Sequence, residues 1–131
     1  ECGWGLYTTL GIKKGEKEAM RQQHGRNYQF FDAPAGLFFT IEREMEIGSW
    51  FDCGMFVQSV MLAARGEGLE TCPQVAFCNF HETVMEHVGA PADQMLICGM
   101  SMGYPDPDAV ANSFRTTRVE LGEYATFVGG D

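Results

Sequence analysis

Two arginines near the end of the chain are the first candidates for binding chemistry. Arg115 and Arg118 stand in the run FRTTR and are the only Lys or Arg residues after Arg65. Paired guanidinium groups suit bidentate contacts to a phosphate group. Taken alone, however, the pair favours ordinary surface charge over a phosphate site, because most exposed arginines have no ligand.

A second candidate is the run TCPQVAF, in which Pro73 interrupts an apolar segment. A proline within a strand usually marks an edge or a break. A broken strand leaves backbone N–H groups without strand partners, and a planar ligand could accept hydrogen bonds from them. The pattern is therefore compatible with an edge strand and with a ligand-binding loop.

Other kinds of chemistry have weaker support. Cys72, Cys78 and His81 lie close together, but they form no Cys-x-x-Cys pair, so buried reduced thiols are favoured over a metal site. His24 and His87 have no serine or cysteine nearby in a recognisable nucleophile setting. The glycines match neither a dinucleotide-binding nor a phosphate-loop pattern. We therefore expect no metal and assign no catalytic side chain.

The charge balance restricts the class of partner. Eighteen acidic and nine basic residues give the 131-residue chain a net charge of −9, which disfavours nucleic acid and anionic membranes as partners. The five cysteines are an odd number, and reduced thiols suit a cytoplasmic location. No signal peptide is recognisable at the start. The length suits one domain, with a sizeable core.

Alternating helices and strands predict an α/β or α+β domain. The N-terminal part predicts an exposed polar helix within residues 11–29. Further along, a capping-box pattern places the start of a helix at Asn79, with Glu82 three residues later, and Gly89 is expected to end that helix. The strands are expected at residues 35–42 (buried), 69–77 (broken by Pro73), 94–104 and 123–131.

The longest apolar segment, residues 50–64, predicts a helix with two neighbouring apolar stripes. Its 15 residues are fewer than the roughly 20 needed to cross a bilayer, and it contains Asp52 and Gln58. A membrane span is therefore disfavoured. Two stripes predict burial on two sides, in a core or at a subunit interface.

Four blocks in order resemble the C-terminal portion of the FMN-dependent nitroreductase family: FFDAPAGLFFTIERE, GSWFDCGMFVQSVMLAARGEGLETCPQ, LICGMSMGYPDPDA and NSFRTTRVEL. The resemblance covers nearly the entire chain. It implies that residues 1–131 form a single domain of an α+β nitroreductase-like fold, truncated at its N-terminal side. It also implies an obligate homodimer, with the 50–64 helix as a central buried helix at the dimer interface.

The resemblance further implies two FMN sites between the subunits, and it assigns roles by position. The implied site residues are Pro73, Gln74, Val75 and Ala76 against the flavin ring, Arg115 and Arg118 at the FMN phosphate, and Tyr28, Phe30 and Phe31 as a mobile aromatic lid. Many relatives have glutamate and glycine where this chain has Val75 and Ala76. Contacts made by the backbone survive such changes.

The activity implied by the resemblance is ping-pong reduction of nitroaromatic, quinone or similar flat acceptors by NAD(P)H through FMN. The family's N-terminal part, with its Arg-Arg-Ser-x-Arg phosphate motif, has no counterpart in the chain. It is expected to have been cut away or to be supplied by another chain, unless this chain no longer binds flavin. The alternative hypothesis is therefore a non-enzymatic, self-associating remnant of the family.

Overall fold

A computed structural model describes residues 2–129 of the chain. Within these residues it contains five α-helices, three β-strands and three 3-10 turns. The helices are α1 (Cys2–Thr9), α2 (Lys17–Gly25), α3 (Ile47–Gly66), α4 (His81–Val88) and α5 (Leu121–Tyr124); the strands are β1 (Ala35–Glu42), β2 (Glu70–Gln74) and β3 (Gln94–Gly103); the 3-10 turns are Arg26–Asp32, Val75–Phe80 and Val110–Ser113.

The described chain divides into two compact units. Residues 17–105 form the larger unit, which contains the sheet, α2, α3 and α4. The smaller unit joins residues 2–16 to residues 106–129 and contains α1, the third 3-10 turn and α5. The single domain expected from the sequence stays a prediction.

The sheet is antiparallel, with the strand order β1-β3-β2. Phe39 pairs with Cys98 whereas Thr40 pairs with Leu96, so Ile97 is an extra residue in β3. A bulge of this kind shifts the alternation of side chains along the bulged strand. Leu96 can therefore share a core with Phe77, whose ring lies over Gly99, although Leu96 and Gly99 are three residues apart.

The core of the larger unit lies on this face of the sheet and is rich in aromatic rings. Its buried members are Phe77, Val84 and Leu96, and the half-buried side chains packed against them are Tyr28, Phe30, Phe38, Cys78 and Met85. Glycines in the sheet make room for the rings. A Cβ atom on Gly99 would lie 2.5 Å from the Phe77 ring, and one on Gly36 would lie 2.5 Å from the Phe30 ring.

Two predicted strands are confirmed in position. β1 covers residues 35–42, as expected, but its side chains are half-buried or exposed rather than buried. β3 covers residues 94–103 and is the buried central strand. β1 is exposed because it lies at an edge of the sheet.

The predicted N-cap of the fourth helix, Asn79, is wrong by one residue. α4 begins at His81, and the N-cap position is taken by Phe80 without a side-chain hydrogen bond. Asn79 lies inside the 3-10 turn that leads directly into α4, so it is already part of a helical turn and cannot cap the helix. The predicted end is confirmed, since Gly89 adopts a left-handed φ of 63°.

The predicted final strand is also wrong within the described residues. α5 occupies Leu121–Tyr124, and residues 125–129 are in no strand. Residues 130 and 131 of the predicted strand lie outside the described residues. A strand needs a hydrogen-bonded neighbour, and the described part of the smaller unit contains no other strand.

The long apolar helix differs from its prediction in length and burial. α3 has 20 residues, so the argument from length against a membrane span fails, although one such helix is weak evidence for a span. Within the single chain, Ala64 is the buried residue of α3, and burial of a second side at a subunit interface stays a prediction. The exposed large side chains of α3 are Ile47, Trp50, Phe51, Met55, Phe56 and Leu62.

The covered face of α3 is narrow. Cys53, Val57, Val60 and Met61 are half-buried, and Phe56 makes an edge contact with Phe39 of β1, with ring centroids 6.1 Å apart. An apolar helix with so much exposed surface has a second face that none of the described residues covers.

Candidate functional site

The candidate ligand loop, residues 73–76, begins in the sheet. The predicted break of the strand at Pro73 is wrong. Pro73 pairs with Met100, and β2 continues to Gln74 opposite Gly99. An edge strand accommodates a proline because one side of its backbone needs no partner. The strand ends after Gln74, and the 3-10 turn begins at Val75.

This transition gives the 73–76 loop its binding capacity. The first N–H groups of a helical turn have no acceptor within the turn, and the turn begins with the N–H groups of Val75 and Ala76. The Val75 side chain is 67% exposed and Ala76 is half-buried. The start of the turn, rather than a break at Pro73, therefore supplies backbone donors in this loop, and the contact of the loop with a flat ring stays a prediction.

Gln74 differs from the other loop residues because its side chain is almost completely enclosed, with 2% exposed. Its Nε2 donates a hydrogen bond of 2.7 Å to the carbonyl oxygen of Asn27. Its Oε1 is buried without a hydrogen-bond partner among the described residues. A buried amide oxygen without a donor lowers the stability of the folded protein by about 1–3 kcal/mol. The Gln74 oxygen can therefore accept a hydrogen bond from one more donor.

The segment that receives the Gln74 amide is the 3-10 turn Arg26–Asp32, here called the aromatic strap. Phe30, Phe31 and Asp32 have φ values of 52°, 53° and 64°. Three successive non-glycine residues in the left-handed region are strained, and surrounding contacts must hold such a turn. One of these contacts is the ion pair between Arg26 Nη2 and Asp32 Oδ2, at 2.5 Å.

Two of the three expected lid residues pack in the core cluster. The Tyr28 ring makes edge contacts with Phe77 and Phe80, at centroid distances of 5.6 and 5.0 Å. Phe30 packs against Phe77 at 4.8 Å. Phe31 is half-buried outside that cluster. The structure thus brings the aromatic strap next to the 73–76 loop, and the lid role of the three rings stays a prediction.

The two candidate phosphate ligands belong to the smaller unit. Arg115 and Arg118 are exposed and follow the 3-10 turn Val110–Ser113. Arg118 Nη1 donates to Thr116 Oγ1 and, at 3.3 Å, to the carbonyl oxygens of Thr116 and Thr117. These contacts are local, and both side chains are exposed. Their phosphate role stays a prediction.

The cysteines are free thiols. Burial raises the pKa of the Cys98 thiol, and the neighbouring Cys78 and Cys53 raise it further. The Cys78 thiol donates to the carbonyl oxygen of Ile97 at 3.1 Å. Within residues 2–129, no group of three His, Cys, Asp or Glu side chains is arranged to hold a metal ion. Cys78 and Cys98 are therefore packing groups of low reactivity.

The sequence analysis missed the residues that connect the strap to the loop. Asn27 takes part through its backbone carbonyl, which carries no sequence signal, and the amide of Gln74 was considered only as part of a flavin-contacting loop. The Arg26 and Asp32 pair is six residues apart, a spacing that suggests neither a helix nor a strand contact.

Comparison with known proteins gives a consistent result. Residues 7–104 match the model of the Nitroreductase family. The chain is 39% identical over 130 residues to 4-nitrobenzoate reductase of Pseudomonas putida, which covers 98% of this chain and 57% of that protein. It is 40% identical over 123 residues to nitrobenzene nitroreductase of Ectopseudomonas oleovorans, with 94% of this chain and 54% of that protein covered.

A solved structure is similarly close. The FMN and NADPH-dependent nitroreductase NfnB from Sphigopyxis sp. strain HMH superposes with a TM-score of 0.94 at 37% sequence identity, covering 98% of this chain and 57% of that one. The expected α+β fold is therefore confirmed. The chain spans slightly more than half the length of these relatives.

Proposed function

Since this chain belongs to the nitroreductase family, we propose that it acts as an FMN-dependent oxidoreductase that reduces nitroaromatic compounds with NAD(P)H. The observation that carries the proposal is the identity of about 40% to two enzymes named for the reduction of nitrobenzene compounds, over nearly the whole chain. The FMN and NADPH dependence of the similar NfnB supports the choice of cofactor and reductant.

The residues of the chain fit FMN in two respects. The 73–76 loop leads into a 3-10 turn, whose first N–H groups have no acceptor within the turn, and ring nitrogens and oxygens are acceptors for such donors. Arg115 and Arg118 are the basic residues of an otherwise acidic second half, and guanidinium groups bind phosphate oxygens well. We propose that the loop binds the ring edge of an FMN molecule and that the arginines bind an FMN phosphate.

Bound FMN supplies the hydride chemistry, which the protein does not need to provide. The chain's own contribution is to bind and orient. Backbone N–H groups of Val75 and Ala76 hold the ring edge, and Pro73 stiffens the approach to them. The aromatic strap stands beside the loop and limits the shape of what can stack there. No side chain of the chain needs to act as a general acid or base.

The same site serves reductant and acceptor in turn, so the proposed kinetics are ping-pong. NAD(P)H binds first and leaves, and a flat nitroaromatic or quinone acceptor then takes its place. A flat acceptor is favoured because Phe31, the strap ring that lies outside the core cluster, can stack on a flat molecule. The five free thiols support a reducing cytoplasmic location.

We also propose that the protein is a homodimer whose interface includes α3. The exposed large side chains of α3, among them Trp50, Phe51 and Met55, form an open apolar groove with Gly54 and Gln58. An apolar surface of this kind on a soluble enzyme is typical of an interface between subunits. A second copy of α3 is the proposed occupant, in agreement with the family resemblance.

Substitution of a candidate phosphate ligand tests the proposal. Arg118→Ala removes a charged donor and should weaken FMN binding by roughly 1.5–3 kcal/mol. FMN fluorescence is titrated with each protein to obtain the dissociation constant. Arg21→Ala is the matched control, because Arg21 is an exposed arginine of α2 that pairs with Glu18 at the surface.

If Arg118→Ala and Arg21→Ala change the FMN dissociation constant equally, Arg118 is an ordinary surface charge and not a phosphate ligand. Failure of the unmodified protein to bind FMN at all would instead support the second hypothesis, a self-associating remnant without flavin.

A further inference from the structure

Two hydrogen bonds run in opposite directions between the aromatic strap and the 73–76 loop. Gln74 Nε2 donates from the loop to the Asn27 carbonyl oxygen at 2.7 Å. The Tyr28 hydroxyl donates from the strap to the Ala76 carbonyl oxygen at 3.4 Å. The bonds connect segments that are almost fifty residues apart in sequence. We call this pair of bonds the clasp.

The surroundings of the clasp shield its hydrogen bonds from water and hold its side chains in place. Gln74 is 2% exposed, and a hydrogen bond shielded from water is costly to lose because the abandoned groups cannot turn to solvent. The Tyr28 ring is fixed at the same time by its edge contacts with Phe77 and Phe80. Both partners of the clasp are therefore held by packing as well as by hydrogen bonds.

The strap needs such a connection. Its three left-handed residues, Phe30, Phe31 and Asp32, are in a conformation that side chains with a Cβ atom rarely adopt. The Phe30 ring lies on Gly36 and the Arg26–Asp32 ion pair closes the turn. These contacts hold the end of the strap, whereas the clasp holds its beginning against the 73–76 loop.

The clasp is also incomplete. Gln74 Oε1 is buried and has no donor among the described residues. Nearly all buried amide oxygens in proteins have a partner, supplied by protein, ligand or ordered water. Gln74 lies where the strap meets the loop, so a ligand bound at the loop can supply a donor to this oxygen.

We propose that Gln74 is a positioning residue that couples the aromatic strap to the ligand loop. Binding at the backbone of Val75 and Ala76 then orders the strap through Gln74 and Tyr28, and the strap becomes a fixed wall of the acceptor site rather than a freely moving lid. Phe31, which lies outside the core cluster, is the ring left to meet the acceptor. This inference rests on the proposed binding of FMN at the loop.

Hydrogen exchange measured by mass spectrometry tests the coupling. Amide exchange of residues 26–33 is followed with and without FMN in the unmodified protein and in Gln74→Met, which keeps the side-chain length but removes the amide. Gln29→Met is the matched control, because Gln29 is exposed in the same strap. Tyr28→Phe is the second variant; it removes the hydroxyl while keeping the ring contacts.

Without FMN, Gln74→Met should raise the exchange rate of the strap roughly fivefold, the effect of losing one ordinary hydrogen bond, and Tyr28→Phe should raise it in the same segment. With FMN, strap exchange should slow in the unmodified protein and in Gln29→Met but not in Gln74→Met. Equal slowing by FMN in Gln74→Met and Gln29→Met would overturn the coupling.

The two proposals fail separately in this experiment. If the unmodified protein does not bind FMN, the proposed function fails, and faster strap exchange in the FMN-free variants still supports the clasp. If FMN binds normally and neither Gln74→Met nor Tyr28→Phe alters strap exchange, the clasp is wrong and the proposed function stands. A Gln74→Met chain that does not fold leaves Tyr28→Phe to decide between these results.

Discussion

At the scale of single residues, the glycines of the sheet determine how the aromatic core packs. Phe77 lies directly on Gly99 and Phe30 lies directly on Gly36. The sequence shows the glycines and the rings but not their pairing, because the contact joins residues far apart in the chain and depends on the bulge at Ile97. Side-chain packing of this kind cannot be derived from local patterns.

Gly99→Ala should therefore destabilise the protein by about 1–3 kcal/mol, the usual cost of overpacking a core. The added Cβ would stand 2.5 Å from Phe77, and that ring is enclosed by Phe30 and Phe38 and cannot move away. Chemical denaturation gives the free energy of unfolding. Gly25→Ala is the control, since a Cβ there meets nothing within 4 Å; similar effects of both substitutions would contradict the packing account.

Cys98 provides a prediction about pH. Its raised pKa keeps the thiol protonated at pH 8, where an ordinary thiol begins to ionise. Because a folded-state pKa above the unfolded value favours the protonated folded chain, the associated stability is present below the usual thiol pKa and is lost as the pH rises through the raised pKa.

Iodoacetamide labelling at pH 8, followed by peptide mass mapping, checks the protection of Cys98. Cys2, which is exposed, should be alkylated well before Cys98, and Cys98 should react at the rate of Cys2 once the protein is denatured. Equal labelling of the two thiols in the folded protein would show that Cys98 is not shielded.

Among the helices and strands, strong local sequence patterns predict the type of element, whereas the first and last residues of the elements are predicted less well. The aromatic and β-branched run at residues 35–42 predicted β1 correctly. The helix predicted at residues 50–64 is shorter than α3, which starts at Ile47, because the prediction followed the apolar stripes and Gly48 and Ser49 add no apolar side chain. Intrinsic propensity is weak evidence at such positions, where neighbouring turns determine the outcome.

The exposed face of α3 is the proposed dimer interface, and a charged substitution on it tests this role. Phe51→Glu places a charge on a side chain that is 71% exposed in the single chain and should convert the proposed dimer to a monomer, because an interface core excludes unpaired charge. Sedimentation velocity gives the mass in solution. Val88→Glu, at the exposed end of α4, should leave the dimer intact. A dimer that survives Phe51→Glu would place the interface elsewhere.

At the scale of the whole molecule, the order of the sequence blocks was sufficient to identify the family and fold. The position of the candidate site could be predicted from the sequence only in part. The 73–76 loop and the aromatic strap are adjacent in the larger unit, while Arg115 and Arg118 belong to the smaller one. The role of Gln74 could not be predicted, because burial of one amide and its bond to Asn27 arise from tertiary packing.

The proposed activity is FMN-dependent transfer of electrons from NAD(P)H to a nitroaromatic acceptor. The most direct measurement is the visible flavin absorbance of the FMN-loaded protein, followed without oxygen. NADPH should bleach the absorbance, and addition of 4-nitrobenzoate after removal of the nucleotide should restore it while the nitro group is reduced. Protein that is colourless after incubation with FMN and removal of the unbound flavin would contradict the proposed activity. Bound flavin that neither NADPH nor NADH bleaches would contradict it as well.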